Sequence, residues 1–249
     1  MRTICITGAT TGIGAALVET LPENGDTVFL HYRSQEAACR ALADRCNARG
    51  VTAFVVQADF AADPDGGARR LADTVAEHRR SLDVLVNNAG GILTRGTVGE
   101  VDYATVSGTI NLNLVAPMML TGYLMPLLVQ AADENGRADV VNITSIAART
   151  GSPTSTSYGA AKAGLENFTR GLAKEAGPGI RVNSVSPGVV DTPFHHDTTS
   201  QEQLDRWLTA TPVGHHGTPA DIAAAVRFVL SNDFMSGAVV PVNGGIQMI

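Results

Sequence analysis

Two residues of this sequence, Tyr158 and Lys162, have types and a spacing that could do chemistry. On an α-helix, residues four apart share a face, with Cβ atoms roughly 5–6 Å apart. A free phenol has a pKa of about 10, and a cation held beside it favours the phenolate and lowers that pKa. We expect the pair to work as an acid/base device near neutral pH, with Ser145 hydrogen-bonded to a substrate oxygen. Taken alone, the pattern also fits an ordinary surface helix.

A glycine-rich turn near the N-terminus predicts a site for a dinucleotide. The run Arg2–Ile6 is β-branched and predicts a first strand, and an Ala/Leu/Val segment to Leu21 predicts a helix after the turn. Glycines let the backbone approach a pyrophosphate, and the N–H groups of the helix N-terminus face it. A plain turn between strand and helix is the alternative. The residues predicted to contact the cofactor here are Gly8, Thr10, Thr11, Gly12, Ile13 and Gly14.

The ends of the next two predicted strands indicate which dinucleotide binds. Thr27–His31 is followed by Arg33 and by no acidic residue. An acid there would hold a ribose 2′-hydroxyl, whereas an arginine accommodates a 2′-phosphate, so NADP(H) is favoured over NAD(H). A solvated loop arginine is the alternative. After the third strand, Val51–Val56, Asp59 and Phe60 could contact adenine, or Asp59 could cap the following helix.

Strands and helices alternate along the rest of the chain. Further strands are predicted over 82–86, 139–144, 181–185 and 238–242, with Ser145 directly after the second of these. This alternation predicts a single α/β domain over residues 1–249, with one parallel sheet and helices on both faces. Small residues after the strand over 82–86, namely Asn87, Ala89 and Gly90, suit close approach of a ligand, although a simple turn would also explain them.

Composition excludes some classes of function. The chain has 249 residues, 44% of them apolar, and a net charge of −6, which argues against nucleic acid or an anionic membrane as a partner. Three cysteines without metal spacing indicate reduced thiols in a cytoplasmic protein. The N-terminus enters a strand without signal-peptide features, which agrees with that location.

Two features of the sequence could suggest a membrane span or a metal site. The stretch Tyr103–Ala132 has no formal charge but contains asparagines and prolines, and we interpret it as a helix buried in the protein or at a subunit interface rather than a membrane span. The pairs His195–His196 and His215–His216 have no acidic or cysteine partner at ligand spacing. We therefore predict no metal site, although the role of these pairs stays open.

Together these motifs resemble the classical short-chain dehydrogenase/reductase family, in the family's order and over nearly the whole chain. Asn111, Ser145, Tyr158 and Lys162 match its catalytic tetrad. Asn87-Asn88-Ala89-Gly90 matches a second signature, and Pro187, Gly188, Val190 and Thr192 match the loop beside the nicotinamide. Members that use NADP often carry a basic residue where this chain has Thr11.

The resemblance implies a single doubly wound Rossmann-type domain with a seven-stranded, mainly parallel sheet, in a homodimer or homotetramer. It also implies roles: Tyr158 protonates a carbonyl oxygen, Ser145 orients it, and Lys162 binds the nicotinamide ribose and lowers the pKa of Tyr158. Asn111 would position a water molecule next to Lys162. The function expected first is NADPH-dependent reduction of a small or carrier-bound ketone, such as a 3-oxoacyl thioester. The alternatives are a sugar or secondary-alcohol dehydrogenase working oxidatively and a non-catalytic dinucleotide-binding regulator. Residues 91–100, 147–156 and 191–216 would set the substrate, and their sequences contain no recognisable code.

Overall fold

The computed structural model describes residues 1–196 and 199–248, apart from the side chains of His195 and His196. Its centre is one seven-stranded sheet of order β3-β2-β1-β4-β5-β6-β7 in which every neighbouring pair is parallel. The strands span Thr3–Ile6 (β1), Thr27–Tyr32 (β2), Thr52–Gln57 (β3), Val84–Asn87 (β4), Ala138–Ile143 (β5), Ile180–Pro187 (β6) and Val239–Val242 (β7).

Helices cover both faces of the sheet. They span Gly12–Thr20 (α1), Glu36–Ala48 (α2), Pro64–His78 (α3), Tyr103–Ile110 (α4), Ala116–Asn135 (α5), Ala147–Thr150 (α6), Thr156–Glu175 (α7), Pro193–His196 (α8), Gln201–Thr209 (α9) and Pro219–Ser231 (α10). Every residue of β1, β2, β4, β5 and β6 is buried, as expected for strands covered on both faces. The predicted doubly wound α/β fold is therefore confirmed, and the sheet is entirely rather than mainly parallel.

Two apolar cores lie on opposite sides of the sheet. One contains Leu17 of α1, Leu42 of α2 and Val226 of α10. The other contains Leu71 of α3 and Leu124 of α5. Because α7 also packs on the second side, the residues it carries are held rigidly relative to the ends of β4 and β5.

Local signals explain where the structure differs from the predicted bounds. Helix α3 begins at Pro64, earlier than predicted, because the Asp63 side chain accepts a hydrogen bond from Gly66 N and caps it. Helix α7 begins two residues before Tyr158. The short helices α6 and α8 were not predicted, since four residues leave too little periodicity to detect.

The long uncharged segment is not one continuous α-helix. A π-helical turn, Asn111–Val115, separates α4 from α5. By length and composition alone, Tyr103–Asn135 could cross a membrane. In the structure a stripe that includes Leu120, Leu124 and Leu128 is fully buried against the sheet and α3. This packing matches the interpretation of the segment as a core helix.

Candidate active site

A cleft of about 770 Å³ lies at the carboxyl ends of the strands. It opens where the strand order reverses, since β1 pairs with β2 on one side and β4 on the other. Ligands of open α/β sheets bind at this position. Most of the predicted site residues line it: Gly8, Thr10, Thr11, Gly12, Ile13, Gly14, Arg33, Phe60, Ala89, Gly90, Ser145, Tyr158, Lys162, Pro187, Gly188, Val190 and Thr192.

The glycine turn brings the backbone and α1 to the cleft. Gly12 has φ +51°, a left-handed conformation that other residues adopt at a cost, and a Cβ there would lie 2.9 Å from Thr192 Cγ2. The Thr11 side chain makes no capping hydrogen bond to α1. Gly12, Ile13 and Gly14, the first residues of α1, line the cleft. The positive end of the helix dipole therefore lies at the cleft, which suits a phosphate.

The described residues that line the cleft include three cationic side chains, Arg33, Arg95 and Lys162, and no aspartate or glutamate. The chain as a whole has a net charge of −6. Arg33 is exposed at the end of β2, where its carbonyl accepts a hydrogen bond of 3.0 Å from Gln57 Nε2. The cleft is thus built for an anionic ligand, and its residues fit a dinucleotide.

Tyr158 lies beside Ser145 deep in the cleft, but the direction of its pKa differs from the expectation. Burial raises the pKa of Tyr158 above its ordinary value, while a hydrogen bond from Ser145 and the charge of Arg95 oppose the rise. The net direction is therefore opposite to the one predicted from the proximity of Lys162. Lys162 Nζ lies 5.7 Å from the centre of the Tyr158 ring and donates to Ile143 O at 2.8 Å. The raised pKa keeps Tyr158 protonated at neutral pH, which suits a general acid.

Lys162 is almost completely removed from water, with 3% of its surface exposed. Burial lowers its pKa to about 7. Gly90 is the reason the ammonium group can lie so close to the loop after β4. A Cβ at Gly90 would be 2.9 Å from Lys162 Nζ and 2.8 Å from Asn113 Oδ1. Glycine at this position therefore keeps space for both polar groups.

Asn111 does not occupy the position predicted for it. Its Nδ2 donates to Ala61 O at 3.2 Å, away from the cleft. Asn113, two residues later, is fully buried and lies next to Lys162. Its Nδ2 donates to Gly91 O and its Oδ1 accepts from Gly91 N. The sequence contained both asparagines, but residues two apart on a helix point in nearly opposite directions, and the π-helical turn decides which one faces the lysine.

Two further predicted residues have structural contacts instead. Asn87 is buried, and its Nδ2 donates to Thr121 Oγ1 and Asn142 Oδ1 in the core. Asn87 is the last residue of β4, and its side chain is directed towards α5 and β5 rather than into the cleft. Asp59 Oδ1 accepts from Ala61 N and Ala62 N, so it closes a turn and is neither a cleft-lining residue nor the cap of α3.

Among the residues that line the cleft, Asn88, His31 and Arg95 were not predicted as catalytic or cofactor-binding residues. Asn88 Nδ2 donates to Thr7 O and Gly8 O and so ties the loop after β4 to the glycine turn. His31 and Arg95 also line the cleft. Arg95 contacts Ser155 Oγ and Thr199 Oγ1, each at 3.3 Å. Neighbouring Asn-Asn at a strand end was the signal for Asn88, while His31 and Arg95 belong to no motif.

The structure also shows the positions of Trp207, His215 and His216. Trp207 lines the cleft. His215 Nδ1 contacts the backbone oxygen of His216 at 2.9 Å. The side chains of His195 and His196 lie outside the described residues. Within the described part of the chain, no group of three or more His, Cys, Asp or Glu is arranged to hold a metal.

Comparison with known proteins agrees with this geometry. A family model described as enoyl-(acyl carrier protein) reductase matches residues 8–247. The oxidoreductase YmfI of Bacillus subtilis (strain 168) is 36% identical over 98% of both chains. A 3-oxoacyl-[acyl-carrier-protein] reductase of Synechocystis sp. is 33% identical over 98% of this chain and 96% of the relative.

Solved structures share the whole fold. A short-chain dehydrogenase from Burkholderia cenocepacia in complex with NADP has a TM-score of 0.88 and 30% identity, over 98% of this chain and 97% of that one. The NADH-dependent reductase A1-R′ of alginate metabolism also has a TM-score of 0.88 and 30% identity, over 100% and 98% of the two chains. The matched length, the fold and the cleft agree, and the chain belongs to the short-chain dehydrogenase/reductase family of NAD(P)-dependent oxidoreductases.

Proposed function

We propose that this protein is an NADPH-dependent reductase that converts a ketone to a secondary alcohol, with Tyr158 as the general acid. The observation that carries the proposal is the position of Ser145, Tyr158 and Lys162 at one end of a cleft whose other end carries Arg33. A proton donor and a phosphate-binding group at opposite ends suit a reaction between a carbonyl and a phosphorylated dinucleotide.

The residues of the cleft divide into those that hold the cofactor and those that act on the substrate. The glycine turn and the N-terminus of α1 would bind the pyrophosphate, and Arg33 the 2′-phosphate. Lys162 would bind the nicotinamide ribose. Pro187, Gly188, Val190 and Thr192 would lie beside the nicotinamide, which supplies the hydride when it is bound.

The protein's own part of the reaction is position and proton transfer. Ser145 donates a hydrogen bond to the carbonyl oxygen and orients it. Tyr158 then gives its proton to that oxygen as the carbonyl carbon accepts the hydride, so the ketone gains two electrons and two hydrogens in total. Burial, which raises the pKa of Tyr158, keeps the donor protonated before the step. Asn113 and Lys162 provide the polar route by which the proton on Tyr158 is replaced, a role that Asn111 is not placed to fill.

The substrate class follows from the wall of the cleft and from the relatives. Half-buried apolar residues, including Leu112 and Phe194, line its substrate side, and they favour an acyl chain. A relative named 3-oxoacyl-[acyl-carrier-protein] reductase supports a 3-oxoacyl thioester, free or carrier-bound.

We further propose that the enzyme works in the cytoplasm as a homotetramer or homodimer, with no metal, nucleic acid or membrane as partner. The buried thiols Cys5, Cys39 and Cys46, which form no disulfide, are compatible with that compartment.

The test is a substrate panel followed by NADPH absorbance, with Tyr158→Phe as the matched variant. We expect 3-oxoacyl thioesters to be reduced and 2-enoyl thioesters and simple sugars to be poor substrates. Tyr158→Phe keeps the ring and removes the proton donor, so turnover should fall at least about 10²-fold while NADPH still binds. Turnover of only enoyl thioesters, or only oxidation of alcohols, would contradict the proposal. NADPH binding without turnover of any substrate would favour a regulator.

A further inference from the structure

His31 is a buried histidine of the cleft wall that the proposed chemistry does not use. It is the second-last residue of β2, with 3% of its surface exposed. Its Nδ1 lies 3.0 Å from Gly8 N, and its Nε2 lies 3.1 Å from Ala58 O. The ring stacks on Phe60, with centroids 4.1 Å apart and planes inclined by 11°. One side chain thus joins the glycine turn to the end of β3.

These contacts require one protonation state. A backbone N–H can only donate, so Nδ1 must accept from Gly8 and carries no proton. Nε2 then carries the proton and donates to Ala58 O. Burial lowers the pKa of His31 to about 4, against smaller opposing effects of the bond to Ala58 and the charge of Asp59. The ring is therefore neutral at physiological pH, as the contacts demand.

The contact to Gly8 matters because of the shape of the turn. Gly8 has φ +62° and lies at the start of the loop that would hold the pyrophosphate. Ala9 N also donates to His31 O at 2.9 Å, so both the side chain and the backbone of His31 hold the turn. Without the imidazole acceptor, the Gly8 N–H would lose its partner and the turn would lose one of its fixed points.

We infer that His31 is a positioning residue for the cofactor, which holds the glycine turn in its binding conformation through the bond from Gly8 N–H to Nδ1. This inference rests on the proposed binding of NADP(H) in the cleft. Protonation of Nδ1 would break the bond, so the turn should loosen and affinity should fall as the pH drops towards the pKa of His31. The charged group that acts on His31 is Asp59, which follows β3. Arg33, two residues further along the chain, also lines the cleft.

Two variants distinguish the effect of the Nδ1 acceptor of His31 from the effect of its ring stacking on Phe60. In His31→Asn, Oδ1 can occupy the position of Nδ1 and accept from Gly8, but the side chain does not titrate. In His31→Phe, the ring can still stack on Phe60, but no acceptor remains. An unpartnered buried donor weakens the state that contains it by about 1–3 kcal/mol, so His31→Phe should bind NADP⁺ about 5- to 150-fold more weakly.

The experiment measures NADP⁺ binding by calorimetry between pH 3.5 and 7.5 for the wild type and both variants. Titration of the 2′-phosphate is common to all three proteins and cancels in the ratio of affinities. We expect His31→Asn to bind like the wild type at pH 7.5. At pH 3.5, below the His31 pKa of about 4, the wild type should lose about 4-fold more affinity than His31→Asn. A wild type and His31→Asn with the same pH profile, or a His31→Phe that binds like the wild type, would overturn the inference.

A second measurement does not depend on the cofactor. In the ligand-free protein, amide hydrogen exchange at pH 7.5 should give Gly8 a high protection factor in both the wild type and His31→Asn. At pH 3.5 this protection factor, which corrects for the pH dependence of intrinsic exchange, should fall in the wild type alone. Equal exchange in these two proteins at both pH values would count against the role of Nδ1, even if His31→Phe does not fold. Failure of the wild type to bind NADP⁺ would instead refute the proposed cofactor, and Gly8 exchange would still decide the role of His31.

Discussion

At the scale of single residues, the burial of Lys162 has a thermodynamic cost. Its pKa falls from 10.5 to about 7 on burial, and each unit corresponds to about 1.36 kcal/mol. Below pH 7 the side chain is charged in the folded and unfolded states alike, and the folded protein bears the full cost of burying it. Between pH 7 and 10.5 the folded protein binds fewer protons than the unfolded chain, so stability rises with pH and the cost is relieved.

Lys162→Met should therefore give a more stable and inactive protein. We expect its free energy of unfolding to exceed that of the wild type by a few kcal/mol at pH 6, less than the full cost because Ile143 O loses its partner. The gain should shrink towards pH 10. Urea unfolding at several pH values measures it, with Lys174→Met, an exposed position on the same helix, as the control. A gain that does not depend on pH would show that the ammonium is not the cause.

Arg33 makes the choice of cofactor testable. A guanidinium can form a bidentate, charge-assisted pair with a 2′-phosphate, and NADH offers only a hydroxyl there. Hydrogen bonds to charged groups contribute roughly 1.5–3 kcal/mol, or about 10- to 150-fold in affinity. Because Arg33 is exposed to solvent, its contribution is smaller than this. We expect the wild type to prefer NADPH by up to that factor, Arg33→Asp to lose the preference and Thr11→Arg to increase it.

Titration of both cofactors against the three proteins at fixed ionic strength checks this expectation. Thr11 lines the cleft near Arg33, so an added arginine there can reach the same phosphate. If the wild type binds NADH as tightly as NADPH, or if the ratio is unchanged in Arg33→Asp, Arg33 is a surface arginine and the cofactor is not NADPH.

At the scale of secondary-structure elements, the π-helical turn between α4 and α5 has a functional consequence. It directs Asn113 towards Gly91 and Lys162 and leaves Asn111 hydrogen-bonded to Ala61 O. Turns of this type often occur at functional sites, since they shift the face that a helix presents. The position of one asparagine relative to Lys162 is thus set by an element that has no recognised sequence signal.

Paired alanine variants test this assignment. Asn113→Ala should lower kcat by about 10²-fold, the usual contribution of a group in proton transfer, while Asn111→Ala should stay near wild type. Steady-state kinetics with the best substrate of the panel gives kcat and KM, and circular dichroism controls for folding. Equal losses in the two variants would refute a special role of Asn113.

These elements also show what could be predicted from sequence and what could not. The glycine turn and the Tyr158–Lys162 spacing depend on local geometry, and the structure places both in the cleft. The alternation of strands with helices predicted a parallel sheet, but the order of its strands was not predicted. Asn111, Asn87 and Asp59 were misplaced because their roles depend on which way a side chain points, which is set by tertiary packing. The pKa of Tyr158 was predicted in the wrong direction because burial, which sequence does not give, outweighs the effect of nearby charge.

At the scale of the whole molecule, part of the apolar surface of α4 and α5 stays exposed. Tyr103, Met118 and Val129 have 86%, 41% and 45% of their surface exposed. Such faces favour association with a second copy of the chain. We expect light scattering at micromolar concentration to give a multiple of the 25.9 kDa chain mass, and Met118→Glu to reduce that mass.

The matched control for this prediction is Ala41→Glu, which adds the same charge at an exposed position of α2. Its mass should equal that of the wild type. A monomeric wild type would contradict the prediction, and an unchanged mass in Met118→Glu would place the interface elsewhere.

The central position of β1 has a consequence for how the chain is made. β1 is the first strand to leave the ribosome, and β2 can cover one of its edges soon afterwards. Its other partner is far away in sequence, since Ile4 pairs with Val84. At 5–20 residues per second, synthesis of the intervening 80 residues takes about 4–16 s. During those seconds the nascent chain carries an apolar strand with an unpaired edge, a template for pairing with other chains. β1 thus waits longer for its second partner than any other strand of the sheet, because the gap from β1 to β4 is the longest between neighbouring strands. The nascent chain is exposed to aggregation during that interval.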